Sequence, residues 1–177
     1  MYNILIKYCL LAIIMIAFTN CNMYSFTGAS IPAEAKTISV QYFPNKALNV
    51  NPELSYMFAE KLKDYFVEQT SLKLIENSGD LNFSGEIIAY EIKPIGIKSN
   101  EQASKNRLKI NIKVNFTNYY ENSKSFEEEF SRYRDYESNI NLSDTDANTG
   151  ESIELNLIQE IVNELAEDVF NKSVVNW

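Results

Sequence analysis

Three cations alternate with apolar residues in one short segment, and this spacing indicates a surface that could bind an anion. In RLKINIKVNFT, residues 107–117, every second residue is apolar, and Arg107, Lys109 and Lys113 stand between them. Successive side chains of a strand point to opposite faces, so this pattern predicts one buried face and one wet, cationic face. Lys and Arg meet phosphate oxygens with charge-assisted hydrogen bonds. The alternative is structural: the cations solvate the sheet or pair with Glu127 and Glu129 across a hairpin.

A second candidate for chemistry is a run of oxygen ligands, Asp144-x-Asp146-x-Asn148. It has the spacing that opens a calcium-binding EF-hand loop. Such a loop needs Gly at its sixth position and a bidentate Glu at its twelfth, where this chain has Thr149 and Leu155. The run therefore favours a solvated loop before a helix, and no metal site is predicted.

Side chains for catalysis are few. The chain has no His and two Cys, which removes most zinc, copper and haem sites and both Ser-His and Cys-His nucleophiles. Carboxylates are abundant, as in Glu127–Glu129, but acid–base catalysis needs two of them in differently polarised environments. Nothing in the pattern marks one as buried. We expect no catalytic residues and no enzyme activity.

The beginning of the chain has the parts of an export signal. Lys7 precedes YCLLAIIMIAF, an apolar run over residues 8–18. A membrane-spanning helix needs about 20 apolar residues, so the shorter run is typical of a signal peptide. The following Phe18-Thr19-Asn20-Cys21 resembles the lipobox of bacterial lipoproteins. That resemblance implies cleavage before Cys21 and acyl chains on its thiol and on the new N-terminus. The alternative is a conventional signal cut elsewhere, with Cys21 a free thiol.

These features divide the chain into a signal peptide at residues 1–20, a lipidated tether at 21–35 and a single domain at 36–177. If Cys21 is acylated and Cys9 leaves with the signal, no disulfide can form, and the domain must be held by packing alone. No cofactor is expected besides the covalent lipid. The formal charge of −8 disfavours nucleic acid as a partner. The charge is uneven, because the stretch 93–113 is net +5 while 121–177 is net −10.

Hydrophobic periodicity predicts an α+β domain in the order β-α-β-β-β-α. Strands are expected over residues 36–43, 81–92, 107–117 and 125–136, and helices from Asn51 to Gln69 and over 151–172. Ser71–Ile75 starts or approaches a further strand. The alternation slips between Phe130 and Tyr133, which predicts a bulge there. The expected architecture is a two-layer sandwich, a four-stranded mixed sheet with both helices on one face.

Several segments together resemble one family, the lipopolysaccharide (LPS) assembly lipoprotein LptE, in a divergent branch. The segments are YSFTGASIP from Tyr24, KTISVQYF from Lys36, NRL from Asn106, FSRY from Phe130 and VVNW from Val174. The resemblance covers essentially the whole chain after the signal. It implies two helices on one side of a four-stranded mixed sheet, as the periodicity predicts.

The resemblance implies a role as well as a fold. Members of the family plug the LptD β-barrel of the outer membrane, help it fold, and are thought to bind LPS. We therefore expect a lipid-anchored, periplasm-facing outer-membrane protein whose partners are an LptD-type barrel and LPS. Arg107, Lys109 and Lys113 are candidate LPS or anion contacts on charge and alternation alone. Tyr24, Phe26 and Trp177 are expected to contribute to an apolar surface buried only against a barrel. The alternative is a free lipoprotein that binds an anionic lipid or small ligand.

Overall fold

The computed structural model describes residues 31–97 and 103–174, which form two α-helices, one short 3₁₀ helix at Asn122–Lys124 and one sheet. The elements in chain order are β1 Thr37–Val40, α1 Leu54–Gln69, β2 Lys73–Leu74, β3 Leu81–Ile97, β4 Ala103–Asn118, β5 Phe126–Glu137 and α2 Ile153–Val174. The predicted α+β class and two-layer architecture are confirmed.

The sheet is mixed and has five strands in the order β2-β1-β3-β4-β5, one more than predicted. β1 pairs in parallel with both β2 and β3, while β3, β4 and β5 form an antiparallel meander. The additional strand is β2, in the segment that only approached a strand by its sequence. It has two residues, which is too few to show an alternation.

The hairpin of β3 and β4 is longer than predicted, because β3 continues past residue 92 to Ile97 and β4 begins at Ala103 instead of residue 107. Pro94 pairs with Asn106 inside the ladder. Proline has no N–H to donate, so it is tolerated where one side of the strand has no partner. This is the case here, since β1 pairs with β3 only at Leu81–Phe83 and one further bridge joins Asn45 to Ile87.

The helix boundaries were predicted to within three residues. α1 ends at Gln69 as expected, but it begins at Leu54 with Glu53 as N-cap. The Asn51 side chain accepts a hydrogen bond from the Glu53 N–H at 3.0 Å, so it closes the turn before the helix. α2 begins and ends two residues later than the predicted 151–172.

The bulge predicted between Phe130 and Tyr133 is wrong. β5 pairs with β4 in unbroken register from Phe126 to Glu137, and the irregularity lies in β3 between Ile87 and Ala89. Gly85, two residues before it, is required for close packing. A Cβ there would lie 2.1 Å from the Lys113 carbonyl oxygen.

The core lies between the sheet and the two helices. Five apolar residues of β4 are at most 1% exposed: Leu108, Ile110, Ile112, Val114 and Phe116. Phe66 of α1 contacts both layers, with ring centroids 5.1 Å from Phe83 and 5.0 Å from Phe170. Full burial of such a side chain contributes about 1.5–3 kcal/mol. Packing of this kind gives the sheet a rigid position for the side chains on its other face.

Candidate functional site

The candidate cations lie on the side of the sheet that faces away from the helices, called the open face below. β4 is flanked by β3 and β5, so each of its side chains has neighbours on two strands. The register places Arg107 beside Lys93 and Asp135, Lys109 beside Glu91 and Tyr133, and Lys113 beside Glu86 and Glu129. The predicted wet, cationic face of this strand is therefore present.

Two of the three candidates are held by carboxylates of β5. The Arg107 guanidinium donates two hydrogen bonds to Asp135, at 2.7 and 2.9 Å, and stacks 3.7 Å from the Tyr133 ring centroid. The Lys113 ammonium lies 2.5 Å from Glu127. These hydrogen bonds raise the pKa of both cations and lower the pKa of the Asp135 carboxyl. Arg107 and Lys113 therefore fit the structural alternative, in which the cations pair with acids of the neighbouring strand.

Lys109 differs from its two neighbours. Among the described residues no carboxylate lies within 4.0 Å of its ammonium group. The nearest acid in register is Glu91, which forms an ion pair with Lys93 at 2.6 Å. The charge of Lys109 contributes to the lowered pKa of Glu91, but less than Lys93 does. Lys109 is thus the candidate whose charge is least compensated by the sheet.

The open face as a whole is not a positive patch. Among the described residues of β3, β4 and β5, the register places six acids and five bases on it: Glu86, Glu91, Lys93, Lys105, Arg107, Lys109, Lys113, Glu127, Glu129, Asp135 and Glu137. The excess of positive charge in residues 93–113 is therefore offset by acids of the neighbouring strands. Long-range attraction of an anion to this face is weak, and any anion contact must be local.

A second charged surface lies on the helix side, where β5 meets α2; it is called the ion-pair seam below. Arg132 bonds Asp168 with two contacts of 2.6 Å, and Arg134 bonds both Glu160 and Glu164 at 2.6 Å. Lys172 of α2 reaches back to Glu128 at 3.0 Å. The sequence reading missed this seam. The available signal was Arg132 and Arg134 at alternate positions, opposite a helix rich in Glu.

The seam also explains the slip in the alternation of β5. Arg134 and Arg132 stand opposite Leu108 and Ile110 in the ladder, at positions expected to be apolar. Arginines are tolerated at these positions because their guanidinium groups form ion pairs with the acids of α2 at the margin of the core. The pKa of Arg134 is raised and that of Glu164 is lowered, mainly by the hydrogen bond between them.

A buried tyrosine joins β3 to the start of α2. The Tyr90 hydroxyl donates to the Glu154 carboxylate in the first turn of the helix. Burial and the Glu154 carboxylate raise the pKa of Tyr90. A tyrosine whose proton is held in this way anchors the helix to the sheet, and it remains neutral at ordinary pH.

The remaining candidates have mixed outcomes. In the Asp144–Asn148 run, the Asp146 side chain accepts a hydrogen bond from the Asn148 N–H at 2.8 Å, a contact within the loop itself. Residues 31–97 and 103–174 contain no group of three or more acidic, His or Cys side chains fit to hold a metal. Neither described helix is long and apolar enough to cross a membrane. Cys21, Tyr24, Phe26 and Trp177 lie outside the described residues.

Two solved structures show that the architecture recurs. Uncharacterized lipoprotein B from Nitrosomonas europaea matches with a TM-score of 0.54 at 9% identity, covering 86% of this chain and 88% of that one. The hypothetical protein CT253 from Chlamydia trachomatis matches with a TM-score of 0.52 at 10% identity, covering 80% and 99%. At such identities the likeness shows a shared fold only. No curated protein sequence matches the chain.

Fold and surface define a two-layer α+β domain with a charge-balanced open face and a helix layer fastened by ion pairs. A family model narrows this class: the one described as LptE, lipopolysaccharide-assembly, matches residues 35–173. The match covers well over half of the chain, and the chain belongs to the LptE family. The resemblance stated from the sequence is confirmed.

The ion-pair seam predicts a stability that depends on pH. A carboxyl whose pKa is lowered by folding stabilises the fold above its unfolded pKa, about 4.3 for Glu, and ceases to do so as the pH falls through the folded value. Glu164→Gln should therefore lower the free energy of unfolding at pH 7 by about 0.2–1 kcal/mol, the range for partly exposed pairs. The difference from the parent chain should vanish in acid, where the parent's Glu164 is protonated.

Urea unfolding at several pH values measures this difference. Glu167→Gln is the matched control, because Glu167 lies on the exposed side of the same helix and makes no ion pair with a described residue. An equal loss in both variants at pH 7, or a Glu164→Gln deficit that persists in acid, would contradict the assignment.

Proposed function

We propose that this protein is an outer-membrane lipoprotein, anchored through acyl chains on Cys21, that serves as the plug and assembly subunit of an LptD-type β-barrel LPS translocon. In this role it faces the periplasm and assists delivery of LPS to the outer leaflet. The observation that carries the proposal is the family match over residues 35–173. Cys21, after a short apolar signal, supports lipid attachment.

The described surface supports a partner. Apolar side chains stand exposed around the 44–52 loop and the adjoining part of β3, among them Leu48 at 99% exposure, Val50 at 61% and Ile92 at 43%. Exposed apolar groups gathered in one region are typical of a surface that another molecule covers. The charges of the open face are largely satisfied within the sheet, which supports an assembly role over a strong independent affinity for lipid.

A second candidate is a free lipoprotein that binds an anionic lipid or small ligand. Lys109 favours it, as a partly buried cation without an ion pair to a described carboxylate. The same residue could contact LPS within a translocon, so the two candidates differ in the partner and share the contact.

Gentle solubilisation of outer membranes and capture of the tagged full-length chain separate the two candidates. The proposal predicts that a large β-barrel of the LptD type is recovered in equal amount with the lipoprotein. A Cys21→Ala variant should lose its acyl chains by mass spectrometry, and it shows whether the anchor contributes to the complex. Recovery of the acylated chain alone would contradict the translocon role and favour the free lipoprotein.

A direct contact between LPS and the open face predicts a salt-sensitive interaction that depends on Lys109. Lys109→Glu should weaken binding of the protein to LPS aggregates at low salt by about tenfold, since the variant replaces an attraction by a repulsion close to the phosphate. Lys73→Glu is the matched control: it makes the same change of charge on β2, three strands away in the sheet. Equal binding by both variants would remove Lys109 from the site.

A further inference from the structure

The C-terminal half of β3 has one edge without a described strand partner. From Ile88 to Pro94 this strand pairs only with β4 among the described residues, because β1 ends its pairing at Phe83 and the last bridge on that side is at Ile87. Neither the N–H nor the C=O groups on that side bond to any described backbone group. This stretch is called the free edge of β3 below.

The phase of the ladder identifies the groups that point out of this edge. Antiparallel pairing uses the N–H and C=O of alternate residues. Ile87 points outward, since its N–H bonds to Pro44 and its C=O accepts from Lys46. After the bulge the phase resumes, and Pro94, which lacks an N–H, fits an outward position. Tyr90 and Ile92 share its phase, so each presents an N–H and a C=O to the free edge.

The other edges of the sheet are better protected than the short window of β3 between its bulge and Pro94. β5 has charged residues on both of its faces, and β2 is only two residues long. Charge and shortness are the usual defences of an edge strand against pairing. On β3 the window between the bulge and Pro94 is AYEIK, whose one acid and one base neutralise each other at 2.6 Å.

An apolar wall lies beside the free edge. The 44–52 loop forms a groove of about 250 Å³ against residues 88–93 of β3, with Leu48 and Asn49 on its far side. Leu48 is 99% exposed and Ile92 is 43% exposed. A groove with backbone donors and acceptors along one wall and an apolar side chain on the other suits an extended polypeptide, because a strand supplies both kinds of contact.

We propose that an extended segment of the β-barrel partner adds to this sheet along the free edge of β3 as a sixth strand. It would lie in line with β1, beyond the bridge at Asn45, and place an apolar side chain against Leu48. The inference rests on the proposed function for the identity of the partner. The bulge at Ile88 and the missing N–H of Pro94 limit the added strand to about five residues.

Hydrogen–deuterium exchange of the full-length lipoprotein, alone and in its complex with the co-purified barrel, tests this proposal. In the free protein the outward amides of Tyr90 and Ile92 have no backbone acceptor among residues 31–97 and 103–174, so they should exchange rapidly. In the complex they should slow by more than about tenfold, as strand hydrogen bonds require. Amides of β5 on its outer edge serve as the internal reference and should not change.

Two substitutions of Ile92 test whether its outward N–H contributes to binding of the barrel. Ile92→Pro removes one edge donor, whereas Ile92→Ala shortens the side chain and keeps the N–H. We expect the proline variant to reduce recovery of the barrel at least about tenfold more than the alanine variant. The exchange measurement on the parent chain does not depend on whether the proline variant folds.

The possible outcomes are distinct. A complex that leaves the free edge in rapid exchange overturns strand addition and leaves the translocon role intact. Failure to recover any barrel overturns the proposed function and the inference with it. Slow exchange at Tyr90 and Ile92 in the free protein that depends on its concentration would assign the edge to a second copy of the chain and overturn the barrel as occupant.

Discussion

The domain depends on the two-sided character of its central antiparallel strand. β4 buries five apolar side chains against the helix layer and presents Arg107, Lys109 and Lys113 on the opposite side. A one-residue slip in its pairing would exchange these faces, so the hydrophobic pattern fixes the register of both neighbouring strands. Because β3 and β5 are held in that register, their acids are brought beside the cations of β4. The balance of charge on the open face is thus a consequence of how the core is packed.

Charge on the helix side follows from the same arrangement. At the edge strand β5, apolar contacts with the core are supplemented by charge, and Arg132 and Arg134 join α2 through Asp168, Glu160 and Glu164. The domain therefore uses most of its charged side chains to hold itself together. The features not used in this way include the exposed apolar region near Leu48, the free edge of β3 and Lys109, which has no ion pair to a described carboxylate. These features favour a protein that works by contact with another polypeptide.

The sequence predicted the architecture well where a periodic pattern ran for ten residues or more. β4 and both helices were correctly placed, because the two-residue period of the strand and the helical period each extend over a long segment. β2 was not predicted as a full strand, because two residues are too few to show a period. The interruption that Arg132 and Arg134 make in the alternation of β5 was interpreted as a bulge, whereas the structure has its bulge in β3. The partners of Arg107 and Lys113 could only be offered as one of two alternatives. Ion pairs between strands depend on register, which the pattern of one strand does not contain.

The role proposed for this protein is to assemble and serve an LPS-translocating barrel. Its most direct test is depletion of the protein in the bacterium that makes it, followed by measurement of the folded barrel and of LPS at the cell surface. We expect the barrel to accumulate unfolded or to be degraded and surface LPS to fall, with both restored by the parent chain. Normal barrel folding and undiminished surface LPS after depletion would contradict it.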